Sequence, residues 1–181
     1  CTDVAVVGDS AAPATLLVNT GTHGVEGLPG SAALVGWLRS GTYLSSSPSV
    51  KTVLVHALNP YAFAWTRRAD ENNVDVNRNF LDHGDRYPEN PLYERLHSML
   101  VPVDPREETL EKCARALLMY AETEDMIRAH AAVGRGQFTH PDGLFFGGHQ
   151  PSWSNRTFCA ILAEFVAGGE ALGFVDIHTG P

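Results

Sequence analysis

Thr15-Leu-Leu-Val-Asn-Thr-Gly-Thr-His-Gly-Val-Glu-Gly27 is a β-prone run that gives way, at Gly21, to a glycine-punctuated loop carrying a histidine and a glutamate. At the far end, residues 171–177 predict a strand leading into Asp176-Ile-His-Thr-Gly180, with Asp176 and His178 on one face because strand side chains repeat every second residue. His23, Glu26 and His178 together form the donor set of a catalytic zinc site, three protein ligands with a fourth position left for water. A His-x-x-Glu pair alone is as readily a surface turn as a ligand pair. The long gap to His178, which lets a separate strand deliver the third ligand, gives the pattern its weight.

Outward from these two stretches, residues 4–7 are also β-prone and reach residues 15–19 through a Gly/Asp/Ser/Ala/Pro turn, so a hairpin is expected. A helix is expected over residues 30–40, with Ala33, Leu34, Trp37 and Leu38 at helical spacing and Gly41 as its stop. Residues 52–57 read as a buried strand. Residues 59–80 are too charged and irregular to predict a packed element, and residues 45–49 read as a loop. A helix is predicted from Asp104, with Pro105 at its first position and Glu107 completing a capping pattern. Leu110, Cys113, Ala114, Leu117, Leu118 and Ala121 form its apolar stripe, and Gly134 ends the segment. A further helix is expected over residues 155–167. Strands alternating with helices predict one α/β layered domain over residues 1–181, with a mostly parallel sheet.

The 181 residues are 44% hydrophobic, enough for a sizeable core, and carry a formal charge of -8. That charge argues against nucleic acid or an anionic membrane as partner. No apolar run reaches the roughly 18 residues that a membrane span needs. Cys1, Cys113 and Cys159 are scattered and suit packing or thiols in a reducing compartment, so a cytoplasmic location is expected.

In Val74-Asp-Val-Asn-Arg-Asn-Phe80 an extended backbone would aim Asp75, Asn77 and Asn79 one way. Amide and guanidinium groups side by side suit a substrate carboxylate. Asp75 is also placed to orient a liganding imidazole. Arg67 and Arg68 can supply positive charge to an oxyanion. Spacing alone leaves a solvated, arginine-rich loop equally open. His140 and His149 flank the glycine-rich stretch Phe145-Phe-Gly-Gly148 and read as loop histidines, with substrate contact or a second metal as the alternative. His56 reads as a core histidine or one supporting the site, and His83, His97 and His130 as surface residues. Trp65 and Trp153 suit packing or a cleft lining. The acidic residues of the 107–124 segment read as a solvated helix face.

Thr22-His-Gly-Val-Glu-Gly27, Asn59-Pro-Tyr-Ala-Phe63, Val74-Asp-Val-Asn-Arg-Asn-Phe80 and Asp176-Ile-His-Thr-Gly180 stand in the order found in the zinc carboxypeptidase superfamily. The chain resembles that superfamily, including its aspartoacylase and succinylglutamate desuccinylase branch, over nearly its whole length. Its closest likeness is to an uncharacterised bacterial carboxypeptidase-like branch with stretches like Gln137-Phe-Thr-His-Pro-Asp-Gly-Leu-Phe-Phe-Gly-Gly148 and Pro151-Ser-Trp-Ser154. The resemblance implies a three-layer α/β/α fold of phosphorylase/hydrolase-like type around a mixed, mostly parallel sheet. It implies that His23, Glu26 and His178 hold Zn2+, with Asp75 hydrogen-bonded to His23. Asn77 and Arg78 would grip a substrate carboxylate. Arg68, or in its place Arg67, would contact the scissile carbonyl and stabilise the oxyanion; this arginine pair stands nearer to Asn77 than in the digestive carboxypeptidases.

In that superfamily the proton-shuttling glutamate lies well beyond the third ligand, whereas this sequence ends at Pro181. Glu164 and Glu170 match no family position. A fold incomplete at the C-terminus is therefore expected, inactive by itself, with a complementing C-terminal half as a possible partner. Three functions follow. The first is a zinc-dependent, carboxypeptidase-like amide hydrolase acting on peptides with a free carboxylate. The second is a deacylase of N-acyl amino acids, and the third a non-catalytic metal-binding module or one half of a split enzyme.

Overall fold

The computed structural model describes residues 1–45, 48–123 and 126–178. Thr179 and Gly180 of the last motif, Ser46 and Ser47 of the expected loop, and Glu124 of the acidic segment lie outside them. The elements in chain order are β1 (Asp3–Val7), β2 (Ala14–Thr20), α1 (Gly24–Ser40), β3 (Val50–His56), α2 (Pro60–Trp65), α3 (Val76–Asn79), α4 (Pro91–Leu100), α5 (Glu107–Thr123), α6 (Met126–Arg135), α7 (Trp153–Ile161) and β4 (Ala171–Ile177). A 3₁₀ turn, Thr42–Ser45, follows α1, and a π-helical turn, Leu162–Val166, extends α7. The architecture is α/β, layered α/β/α about a mixed, mostly parallel sheet, as expected. Among the described residues no helix is long and apolar enough to cross a membrane.

Backbone contacts group the chain into two compact units, residues 1–71 with 152 onward, and residues 72–151. The first unit holds the sheet, in the order β1-β3-β2-β4. Strand β2 lies parallel to β3 on one side and to β4 on the other, and β1 runs antiparallel to β3. Four consecutive buried residues, Thr52 to Val55, make β3 a central strand, as the unbroken apolar run predicts. Burying side chains such as Leu17, Leu54 and Val55 stabilises the sheet by about 1.5–3 kcal/mol each.

The expected hairpin is replaced by a different pairing: β3 inserts between β1 and β2, so the first two strands are not neighbours. Residues 8–13 easily span the roughly 9.5 Å of two strand spacings. The buried β3 gains a partner along both edges, which a local hairpin would have denied it.

Helix α1 begins at Gly24, well before the expected residue 30, despite Gly27 and Pro29 in its first turns. Close packing overrides their poor helix propensity. A Cβ on Gly24 would stand 1.7 Å from the Ala62 carbonyl oxygen, and one on Gly27 2.3 Å from the Phe63 ring. Only bare backbone lets α1 approach α2 this closely. The stretch after Asn59 is likewise ordered, not irregular: the Asn59 side chain accepts the Ala62 N–H at 3.1 Å, and Pro60 opens α2. Helix α7 starts behind the Ser152 cap, whose hydroxyl accepts the Asn155 N–H.

The second unit is helical. Asn90 caps α4 with Pro91 at its start, an element that sequence periodicity did not bring out. Tyr93 and Leu96 are its buried anchors. Helix α5 begins at Glu107, later than expected, because the Asp104 carboxylate folds back onto the Arg106 guanidinium and the Thr109 hydroxyl. Leu110 and Leu118 of its apolar stripe are exposed. In α3, helical rather than extended backbone breaks the expected alternation. Asp75 caps the turn by accepting the Asn77 N–H, Asn79 is buried, and Asn77 is exposed.

Candidate metal centre

Strands β2 and β4 are parallel neighbours with Thr20 opposite Ile177, so both C-terminal ends open on the same edge of the sheet. The chain leaves β2 for β3 on one side, and β4 lies on the other. That reversal of direction is where open α/β sheets place their ligand sites, outside the carboxyl ends of the strands. His23 follows β2 as the N-cap of α1, Glu26 sits in the first turn of α1, and His178 follows β4. Their ligand atoms all lie within 4.8 Å of one another, and the two imidazole rings meet edge to face at 5.1 Å. His23 is 1% exposed and Glu26 9%.

Each imidazole is held by its Nδ1. His23 Nδ1 donates to the Arg68 carbonyl at 3.0 Å, and His178 Nδ1 to Asp176 Oδ2 at 2.9 Å. In the neutral ring this makes Nε2 the lone-pair nitrogen, the tautomer a metal requires. Asp176 is itself fixed across the β2–β4 register, where Asn19 faces it. Asn19 Nδ2 donates to Asp176 Oδ1 at 2.9 Å, and the Thr22 hydroxyl lies within 3.2 Å of both carboxylate oxygens.

The Arg67–Arg68 segment latches the metal-binding turn through its backbone. Gly24 N–H donates to the Arg67 carbonyl at 2.8 Å, next to the His23–Arg68 bond. The Arg68 guanidinium reaches to 4.0 Å from the Glu26 carboxylate, with its side chain 41% exposed. The structure therefore brings Arg68 to the triad by its side chain and Arg67 by its carbonyl.

Asp75, expected to orient His23, caps α3 within the second unit. Asp176 holds His178, a role the sequence reading gave to no residue, although the alternation along β4 put Asp176 and His178 on one face. Asn19 and Thr22 left no signal beyond their places beside His23. In the second unit, the Arg78 guanidinium donates to the Gly134 carbonyl and lies 5.8 Å from the centre of the Phe145 ring. Its stem crosses Gly136, whose φ of +88° and missing Cβ leave the room. Asn79 Nδ2 donates to the Gly147 and Gln150 carbonyls at 2.8 and 2.9 Å, a structural clip for the glycine-rich loop. His149 donates to the Phe138 carbonyl. His83 is half-buried between Asn79 and Tyr87, and the His97 side chain is only 14% exposed, so neither is the surface residue expected.

A family model described as "Protein of unknown function (DUF2817)" matches residues 1–181. No curated protein and no solved structure matches the chain.

Proposed function

The chain belongs to the DUF2817 family, and within it we propose a zinc-dependent hydrolase of amide bonds, of carboxypeptidase type. One observation carries this reading: adjacent parallel strands bring two imidazoles and a carboxylate together, with each ring's Nδ1 held by its own acceptor. The donor set suits zinc in a hydrolytic site, where three protein ligands of this kind leave a position for water. The four motifs in superfamily order support the same reading.

His23, Glu26 and His178 would hold the ion. When bound there, zinc supplies Lewis acidity to water and to a carbonyl oxygen. The chain's own groups orient the ligands and place charge. Asp176 and the Arg68 carbonyl keep both rings in one tautomer and one orientation. The Arg68 guanidinium, 4.0 Å from Glu26, offers fixed positive charge where an oxyanion would develop. Recognition of a substrate's free carboxylate is assigned to Asn77 and Arg78, and rests on the Val74–Phe80 motif alone.

The test pairs metal counting with turnover. Zinc-loaded full-length protein, with the proton-shuttling carboxylate supplied, should hydrolyse peptides with a free C-terminus and spare amidated ones, with chelator abolishing the activity. The 181-residue chain alone should bind the metal without turnover. Arg68→Ala should keep the metal while lowering kcat by about 10²–10³-fold, the scale of a lost oxyanion donor. Preference for N-acyl amino acids would move the reading to a deacylase. Stoichiometric zinc with no turnover on either panel would leave a metal-binding module.

A further inference from the structure

The second unit contains another group of metal-ligating side chains, unrelated in sequence to the first. His97 projects from α4, and His140 and Asp142 come from the turn between Gln137 and Leu144. One ligand atom from each lies within 4.8 Å of the others. The two imidazoles are stacked at 3.6 Å between centroids and 14° between planes. Asp142 Oδ1 stands 3.7 Å from His97 Nε2, and Glu94 Oε2 stands 2.8 Å from His140 Nε2.

We propose that His97, His140 and Asp142 form a second divalent-cation site of the zinc class, with Glu94 as a fourth ligand or as the carboxylate that orients His140.

Donor chemistry is the first reason. Two imidazoles, His97 and His140, and two carboxylates, Asp142 and Glu94, meet in one small group. Nitrogen and carboxylate oxygen donors in that combination suit zinc, and a dication would offset the two carboxylate charges.

Preorganisation is the second reason. The turn carrying His140 and Asp142 is over-determined. Gln137, 1% exposed, donates from its amide nitrogen to the His140 carbonyl at 2.7 Å, and its amide oxygen accepts the Thr139 and His140 N–H groups at 2.9 and 2.7 Å. Asn73 donates to the Pro141 and Gly143 carbonyls, both at 2.9 Å. The fully buried Tyr93 hydroxyl accepts the Leu144 N–H at 2.6 Å and lies 3.5 Å from His97 Nδ1. A hydrogen bond there leaves Nε2 as the ring atom facing Asp142. Two side-chain amides thus fix the turn's backbone and give its ligands the supporting hydrogen bonds a site needs. Tetrahedral zinc–nitrogen bonds of about 2.0–2.1 Å put ligand atoms roughly 3.4 Å apart. Closing to that separation asks for a swing of Asp142, whose side chain is 70% exposed, and for the two rings to tilt out of their stack so that both in-plane lone pairs converge.

Equilibrium dialysis of the purified protein against low-micromolar Zn2+, with metal counted per chain, tests this. Wild type should hold two ions. His23→Gln/His178→Gln should hold one, and so should His97→Gln/Asp142→Asn. Asp142→Asn alone, on an exposed side chain that should not affect folding, should weaken one ion at least tenfold. Zn2+ should also raise the melting temperature of His23→Gln/His178→Gln but add nothing further once His97 and Asp142 are replaced as well. A count and affinity unchanged by Asp142→Asn and by His97→Gln/Asp142→Asn would overturn the proposal. A count unchanged by His23→Gln/His178→Gln would instead strike the first centre, so the two failures are separable.

Discussion

The two histidine clusters use the same donor types but hold them differently. In the first unit, His23 and His178 leave the C-terminal ends of hydrogen-bonded strands, and their positions follow from the β2–β4 register. In the second unit, His140 and Asp142 sit on a turn whose shape depends on side-chain amides, chiefly Gln137 and Asn73. A site built on sheet ladder is fixed by backbone that the core already requires. A site built on a turn needs supporting residues with no other task. The contrast also falls on the orienting carboxylates. Asp176 is 22% exposed and accepts from Asn19 and Thr22, whereas Glu94 is 42% exposed.

That contrast breaks most readily at the carboxylates. Asp176→Asn keeps the shape but turns the acceptor facing His178 Nδ1 into an amide that can point its nitrogen there. Metal affinity of the first centre should fall about 10–100-fold, the usual cost of losing the carboxylate that orients a ligating histidine. Glu94→Gln, more solvated, should cost the second site less than about tenfold. Calorimetric titration of Zn2+ into each variant measures both. Equal losses would erase the distinction between strand-built and turn-built sites.

The two regions were also unequally legible in the sequence. His23, Glu26 and His178 stood out because strand alternation and a glycine-marked loop are local patterns, and β4 emerges with the bounds expected. The β1–β3 pairing was not legible, since nothing in residues 4–19 signals that a strand beyond α1 will insert. The start of α1 was hidden for a related reason: Gly24, Gly27 and Pro29 argue against helix locally, and the packing that overrides them involves Ala62 and Phe63, far along the chain. His97 looked like a surface residue because its cover, the turn at residues 137–144, is remote in sequence. Asp176 was visible beside His178, but its hold on that ring depends on Asn19 and Thr22, which are remote in sequence.

Two glycines of α1 sharpen the packing side of the contrast. A Cβ at Gly24 would lie 1.7 Å from Ala62 O and 2.8 Å from Arg67 O, both backbone atoms that cannot rotate away. Gly24→Ala should destabilise by about 1–3 kcal/mol as an overpacked site, and loosen the His23 turn with it. Gly36, in the same helix, has nothing within 4 Å of its Cβ position, so Gly36→Ala should stabilise by roughly 0.5–1 kcal/mol. Urea denaturation of the two variants gives the comparison directly. The same sign for both would mean that α1 does not rest on the Ala62 backbone as described.

The smallest effect separates a carboxylate that supports a site from one that merely decorates a helix start. Asp104, like Asp176, gathers several donors: the Arg106 guanidinium and N–H, then the Thr109 hydroxyl. The Arg106 side chain, first among these, holds the Asp104 carboxyl below the usual aspartate range. A carboxyl depressed on folding contributes stability above its unfolded pKa, and loses it as the pH falls through the folded value. Asp104→Asn should therefore melt slightly lower than wild type at neutral pH, with a flatter acid limb that meets the wild-type curve as the pH falls below about 4. Because Arg106 is open to solvent, raising the salt to about 1 M should erase even that difference. Asp176→Asn should behave otherwise, keeping its metal-affinity loss at high salt, since a half-buried hydrogen-bonded carboxylate is screened far less. If salt rescued Asp176→Asn as fully as Asp104→Asn, the anchoring of His178 would be no more than surface electrostatics.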